Sequence, residues 1–206
     1  MSDSLQKELR LFESCRSGTI ALADGLSQAD SDVPPVSGGW STGEVLSHLL
    51  IVEEKVRSQI ALLIQLHRAG DEPDVSWQFR ANSTVPVWIP NELVPVLDWP
   101  FTVFSRLLPS RAAEYLIRFP VFRFRAAEWA RPKPYVPVNT LSDSLQSSLL
   151  ETKRLFDSNE DCPWRDMILR HPSLGVNNVP RVLRILASHE QRHQDQIRRN
   201  RQDAKR

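Results

Sequence analysis

Residues 185–197 read Ile185-Leu186-Ala187-Ser188-His189-Glu190-Gln191-Arg192-His193-Gln194-Asp195-Gln196-Ile197, with two histidines four positions apart. Side chains at this spacing lie one above the other on an α-helix, roughly 6 Å apart at Cβ, so both imidazoles can bind one cation. The apolar stripe of this helix follows Val182, Ile185, Leu186, His189, His193 and Ile197. Its spacing predicts that both histidines point toward the core. The stretch therefore predicts an inward-facing metal-binding pair.

An ordinary alternative exists for this pair, namely one hydrogen-bonded core histidine and one surface histidine. Two adjacent buried imidazoles must both stay neutral and find hydrogen-bonding partners, because burying two neighbouring cations costs free energy. A shared metal ion satisfies both side chains at once. We therefore favour metal ligation for His189 and His193 over the core-histidine alternative.

A third histidine, His48, lies on another predicted helix. That helix begins with a capping box, in which Ser41 is the N-cap and Glu44 follows three positions later. Its inward stripe is Val45, His48, Leu49, Val52, Val56 and Ile60. If the two histidine-bearing helices are neighbours, His48 joins His189 and His193 in a site with open coordination positions. Open sites of this kind are typical of catalytic metal centres.

Four other potential ligands have weaker support. His67 lies at the end of the helix that carries His48, and His171 precedes a proline in a predicted turn. The two cysteines, Cys15 and Cys162, lie in no CxxC or other metal-binding motif. We predict that both histidines are non-ligands and that the cysteines form no structural metal site.

Composition and charge set the class of protein. The chain has 206 residues, of which 41% are hydrophobic, and a formal net charge of +1. These values predict a single domain over residues 1–206 with no nucleic-acid partner. The most apolar stretch, Leu93–Leu108, contains two prolines and two charged residues, which argues against a membrane span. With few cysteines and no basic-then-apolar leader, a cytoplasmic location is expected.

Helical periodicity predicts four long amphipathic helices. They run from about Ser4 to Gly25–Ser27, from Ser41 to about His67, from Asn139 or Thr140 past Phe156, and from after Asn178 to about Arg199. A loop with two prolines and two glycines is expected over residues 29–39. Four helices of this length predict an all-α fold, a four-helix bundle.

An insertion of residues 69–138, rich in proline and aromatic residues, separates the second and third predicted helices. Its aromatic side chains are too many to leave in water, so we expect it to pack on the helices or on a partner subunit. Short helices are predicted near Asn91–Leu97 and Phe101–Arg118. The insertion is interpreted as a structural cap, which can also cover a pocket.

Two parts of the chain resemble the DinB-like (DinB/YfiT) superfamily. They are Trp40-Ser41-Thr42-Gly43-Glu44-Val45-Leu46-Ser47-His48-Leu49 and the closing segment, His171-Pro172-Ser173-Leu174-Gly175 followed by residues 187–197. Members of this superfamily are four-helix bundles, often homodimers, in which three histidines bind zinc, nickel or a similar divalent ion. The resemblance assigns these ligand roles to His48, His189 and His193. The insertion is longer than in a simple member.

The resemblance also implies a range of chemistry on small molecules. Some relatives are transferases or isomerases that use a low-molecular-weight thiol such as mycothiol or bacillithiol, and others are described as metal-dependent hydrolases. The expected function is therefore a metal-dependent thiol S-transferase or hydrolase. The alternative is a helical-bundle interaction protein that is stabilised by metal and has no catalytic activity.

A further alternative arises because residues 189–193 formally match the H-E-x-x-H motif of zinc metalloproteases, in which the glutamate is the general base. Such enzymes need a third ligand, commonly downstream, but no histidine or glutamate follows His193. We rank a protease below the other functions, while Glu190 stays a candidate base. Glu44 is expected to serve the capping box, and Glu53 and Glu54 are expected to be solvated.

Overall fold

The computed structural model describes residues 3–36, 38–76, 126, 128–171 and 174–203. Most of these residues lie in helices. Among the described residues, the helices are α1 (Asp3–Ala23), α2 (Gln28–Asp32), α3 (Thr42–Ala69), α4 (Val138–Asp157) and α5 (Val179–Asp203), and a 3-10 turn covers Glu128–Ala130. The prediction of a mostly helical protein is confirmed.

The predicted start of α3 is confirmed in atomic detail. The Glu44 backbone N–H donates to Ser41 Oγ at 3.2 Å, and the Ser41 N–H donates to the Glu44 carboxylate at 2.8 Å. These two bonds satisfy donors that the first turn of a helix leaves without partners. At the other end, Gly70 adopts the left-handed conformation (φ 82°) that commonly terminates a helix. The helix is therefore two residues longer than predicted.

The start of α5 also follows its sequence signal. The Arg181 backbone N–H donates to Asn178 Oδ1 at 3.1 Å, and Pro180 occupies the first turn, where its missing N–H costs no hydrogen bond. The short helix α2, in contrast, lies where a loop was predicted over residues 29–39. Ser27 caps it by accepting from the Asp30 N–H at 3.1 Å. The loop was predicted from two prolines and two glycines, all of which follow α2, whereas the N-cap at Ser27 stabilises one short helical turn before them.

Packing brings the two histidine-bearing helices together. α1 packs against α4 and α5, and α3 packs against the same two helices. Fully buried side chains from all four helices form the apolar interior, among them Phe12, Leu46, Leu63, Leu145, Phe156, Leu183 and Ile197. Because α3 lies beside α5, residues on their inward stripes face each other.

A small sheet corrects the prediction of an all-α fold. Its strands are β1 (Asp74–Ser76), β2 (Ile168–His171) and β3 (Gly175–Asn178), in the order β1-β2-β3, with β1 parallel and β3 antiparallel to β2. His171 therefore lies at the end of a strand rather than in a turn. Strands of three or four residues are too short to be recognised by periodicity. β3 leads directly into α5, so the hairpin positions the start of that helix.

The predicted insertion lies mainly outside the described residues. α3 ends at Ala69 and α4 begins at Val138, and between them the structure describes β1 and the segment that returns through Glu128–Ala130 to α4. The short helices predicted near residues 91–97 and 101–118 lie outside the described ranges. None of the helices described has both the length and the apolar character needed to cross a bilayer.

Candidate metal centre

The three predicted histidines converge between α3 and α5. The Nε2 atom of His189 lies 3.2 Å from Nε2 of His48 and 3.1 Å from Nε2 of His193. One potential ligand atom from each histidine falls within 4.8 Å of the others. The ring centroids are 4.5–5.1 Å apart and the rings meet edge to face. Three imidazole nitrogens thus point at one common region, which is compatible with a bound metal ion.

Hydrogen bonds on the far side of two rings define the tautomers. Nδ1 of His48 donates to the Ala130 carbonyl oxygen at 2.7 Å, and Nδ1 of His193 donates to Gln196 Oε1 at 2.9 Å. Since each Nδ1 carries the proton, each neutral ring keeps a lone pair on Nε2. Metal-binding histidines typically have such outer partners. Both rings are therefore prepared to bind a cation through Nε2.

Burial keeps the site neutral. Desolvation lowers the pKa of His48 to about 4, and the nearby Arg192 guanidinium lowers it further, against the opposing effect of the Ala130 hydrogen bond. Burial also holds the pKa values of His189 and His193 well below their ordinary range, and neighbouring imidazoles and Arg192 add to this effect. Neutral imidazoles are the form that binds metals. The site thus needs no deprotonation near pH 7.

Trp40 forms one wall beside the histidines. Its ring centroid lies 4.8 Å from that of His48 and 6.4 Å from that of His193, nearly parallel to the latter. Asn200 Nδ2 on α5 donates to the Trp40 carbonyl at 2.9 Å and holds this residue against the end of the helix. Trp40 was not predicted to be part of the site, although its place immediately before the capping box was an available signal.

A buried ion cluster beside the histidines was also missed. Arg16 on α1 is fully buried, and its Nη2 lies 2.9 Å from the Glu53 carboxylate and 2.5 Å from that of Glu190. Glu53 also accepts from Ser148 Oγ at 2.8 Å and from Thr152 Oγ1 at 2.7 Å. The prediction that Glu53 is solvated is therefore wrong. The periodicity of α3 could not indicate this burial, because the partners of Glu53 lie on α1 and α4.

One signal in α1 could have indicated this cluster. Phe12, Arg16 and Thr19 follow helical spacing, so Arg16 occupies a position on the inward stripe. A buried arginine needs an acidic partner, since an isolated buried charge is costly. The neighbouring prediction for Glu54 is confirmed, because that side chain is exposed.

Glu190 faces away from a general-base position. One carboxylate oxygen binds Arg16, and the other accepts a hydrogen bond from the Thr19 hydroxyl. Both partners lie on α1, whereas His189 and His193 face His48 on α3. The H-E-x-x-H match is therefore formal, and its glutamate forms a buried ion pair between helices.

The remaining potential ligands lie apart from the three histidines. His67 is in the last turn of α3, and Nδ1 of His171 accepts from the Leu174 N–H at 3.2 Å. Cys15 and Cys162 are buried, and they are not joined by a disulfide bond. Within the described part of the chain, His48, His189 and His193 make up the one group of three or more residues placed to share a metal ion.

One of three comparisons with known proteins gave a match. The sequence matches the family model of the DinB superfamily over residues 11–197, which includes both histidine-bearing helices. Searches of curated proteins and of solved structures gave no match. The family match spans most of the 206 residues, and the chain therefore belongs to the DinB superfamily.

Proposed function

We propose that this protein is a metal-dependent enzyme in which His48, His189 and His193 bind one divalent cation, zinc or nickel. This proposal rests on the convergence of three Nε2 atoms. That of His189 lies 3.2 Å from Nε2 of His48 and 3.1 Å from Nε2 of His193. Three histidine ligands are the set found in catalytic zinc sites, whereas closed structural sites use four protein ligands and favour cysteine. The neutral imidazoles and the Nδ1 partners of His48 and His193 fit the same role.

The reaction that fits best is thiol-dependent S-transfer or hydrolysis of a small molecule. A bound cation supplies a nucleophile near neutral pH by lowering the pKa of a coordinated thiol or water. Trp40 provides an aromatic surface beside two of the histidines, against which an apolar electrophile can lie. In this proposal, the four long helices form a DinB-like bundle that holds the histidines at fixed distances.

A second candidate is a metal-stabilised interaction protein without turnover. It is favoured because the buried acidic side chains on the two histidine-bearing helices are already bound to other groups. Glu190 and Glu53 share Arg16 and bind hydroxyl groups, so neither carboxylate is placed to act as a general base. A thiol transferase tolerates this arrangement better than a hydrolase, since a coordinated thiol needs less help with deprotonation than water does.

The decisive experiment is elemental analysis of tag-free protein beside a triple variant, His48→Ala, His189→Ala, His193→Ala. We expect about one equivalent of divalent metal in the native protein and none in the variant. His67→Ala is the matched control, because it removes a histidine of α3 that lies outside the site. Absence of metal from the native protein after soaking in zinc and nickel would contradict the proposal.

Activity separates the two candidate functions. The metal-loaded protein is tested with low-molecular-weight thiols against alkyl and aryl electrophiles, and with ester substrates. Turnover that disappears in the triple variant supports the enzyme. A large loss of thermal stability on chelation, combined with no turnover on either panel, supports the interaction protein.

A further inference from the structure

Each histidine on α5 is followed directly by a polar side chain that binds another helix. Glu190 follows His189, and Gln194 follows His193. One residue along an α-helix is a rotation of about 100°, so neighbours in sequence point in different directions. The histidines point toward His48 on α3, whereas Glu190 and Gln194 contact α1. α5 therefore has a ligand face and an adjacent anchoring face.

The anchoring contacts are direct and buried. Arg16 Nη2 binds Glu190 Oε1 at 2.5 Å, and the Thr19 hydroxyl donates to Glu190 Oε2. Gln194 Nε2 donates to the Cys15 carbonyl oxygen at 2.5 Å and to Thr19 Oγ1 at 3.1 Å. Thr19 thus joins the two anchoring residues. Water has little access to compete for these bonds, because Glu190 is 2% exposed and Gln194 is 7% exposed.

The backbone of α1 is adapted to this contact. A Cβ atom at Gly18 would lie 3.0 Å from Gln194 Nε2, closer than ordinary van der Waals contact. Glycine is disfavoured in the interior of a helix relative to alanine. Its presence in the C-terminal half of α1, facing Gln194, gives the amide room to reach the Cys15 carbonyl.

Small rotations of α5 would disrupt the histidine site. The Cα atoms lie about 2.3 Å from the helix axis and an imidazole Nε2 roughly 4 Å further, so a rotation of about 10° moves Nε2 by about 1 Å. Metal–ligand distances in proteins are held to within about 0.2 Å. Contacts that fix the rotation of α5 therefore bear directly on metal affinity.

We propose that Glu190 and Gln194 are positioning residues, which anchor α5 to α1 and so hold His189 and His193 toward His48 before any metal binds. This inference rests on the proposed function in taking the three histidines as the ligand set. It gives Glu190 a role that differs from the general base of an H-E-x-x-H protease.

Glu190→Gln and Glu53→Gln form a matched pair of variants. Each removes one of the two carboxylates that bind Arg16, and each leaves the other in place. Glu53 forms its ion pair with α1 and its hydrogen bonds with α4, so its replacement removes none of the hydrogen bonds between α5 and α1. Both variants lose a buried charge, but only Glu190→Gln loses an anchor of α5, the helix that carries His189 and His193.

The test measures zinc affinity by competition with a chromophoric chelator, and the ligand-field absorption of bound Co²⁺. We expect Glu190→Gln to bind zinc about 10- to 100-fold more weakly, a loss comparable to that from removing a hydrogen-bonding partner of a metal ligand, with an altered Co²⁺ spectrum. Glu53→Gln should stay within about twofold of the native affinity. Equal affinity losses in the two variants, or native affinity in Glu190→Gln, would overturn the proposal.

A second variant keeps the test valid if Glu190→Gln does not fold. Gln194→Met retains the side-chain length and charge but cannot donate to Cys15 or Thr19. We expect a loss of zinc affinity of about tenfold. Native affinity in this variant would count against the positioning role.

A metal-free measurement separates this inference from the proposed function. The imidazole resonances of His189 and His193 are compared by NMR in the metal-free native protein and in the Gln194→Met variant. Shifts in these two rings with unchanged His67 resonances support positioning, and unchanged rings overturn it. Failure of the native protein to bind any metal would instead refute the proposed function, and the ring shifts would still decide the role of Gln194.

Discussion

The Nδ1 atom of His48 lies 2.7 Å from the carbonyl oxygen of Ala130, a residue far along the chain that precedes α4. The same segment makes a second contact with α3, because the Lys133 N–H donates to Ser47 Oγ at 3.1 Å. Two consecutive residues of α3 thus hold residues 130–133 against the helix. The orientation of a candidate ligand depends on how this returning segment packs.

Loss of the second contact should weaken the first. We predict that Ser47→Ala lowers zinc affinity several-fold and the free energy of unfolding by about 1 kcal/mol, because the segment that presents the Ala130 carbonyl loses a part-buried hydrogen bond. Chelator competition and urea denaturation measure the two effects. Ser58→Ala is the control, since that exposed hydroxyl donates to the carbonyl of Lys55 within its own helix. Equal zinc affinities for the two variants would contradict the prediction.

The partner of His193 offers a side chain that can be exchanged. Gln196→Leu removes the acceptor for Nδ1–H, so the ring loses its fixed tautomer and orientation. We predict that zinc affinity falls about tenfold. Gln196→Glu keeps an acceptor at the same place and should retain affinity within about threefold. A titration in which both variants match the native protein would show that Gln196 has no effect on the site.

The metal-free protein should lose stability as the pH falls below the ordinary histidine pKa. Between about pH 6.5 and pH 4 the unfolded chain protonates His48 while the folded chain, with a pKa of about 4, does not. The unfolded state then binds more protons, so the free energy of unfolding decreases as the pH decreases. For His48 the loss between pH 7 and pH 5 is about 2 kcal/mol.

Denaturant unfolding at pH 7 and pH 5 checks this prediction. His48→Gln should show a difference between the two pH values that is smaller by about 2 kcal/mol than in the native protein. An unchanged difference would mean that His48 titrates normally in the folded state.

Zinc binding should persist down to about pH 5, since the candidate ligands are already neutral at that pH.

The close approach of α1 and α5 at Gly18 allows a test at a residue on a helix that carries none of the three histidines. Gly18→Val places a branched side chain against Gln194 Nε2, where even a Cβ atom would lie at 3.0 Å. We predict destabilisation by about 1–3 kcal/mol from overpacking, together with weaker zinc binding. Ala21→Val, at an exposed position of the same helix, controls for the lower helix propensity of valine. Native zinc affinity in Gly18→Val would argue that α5 tolerates displacement.

The four long helices were predictable because their signals are local. The capping box at Ser41 and Glu44, the cap at Asn178, and the apolar stripes each involve residues within a few turns of one another. The same stripes predicted that His48, His189 and His193 point inward. The three side chains lie close together because α3 packs beside α5. The strands were not predictable, because β1 pairs with a segment distant in sequence and each strand is only three or four residues long.

The sequence by itself thus determined the family, the long helices and the three histidines, since periodicity and short motifs depend on nearby residues. Only the tertiary structure decided what the acidic residues do. From the sequence, Glu53 was expected to be solvated and Glu190 was a candidate general base. In the structure, both carboxylates bind Arg16 in the interior. The physical reason is that burial of a charge depends on partners from other helices. Helix packing, which no single helix encodes, selects those partners.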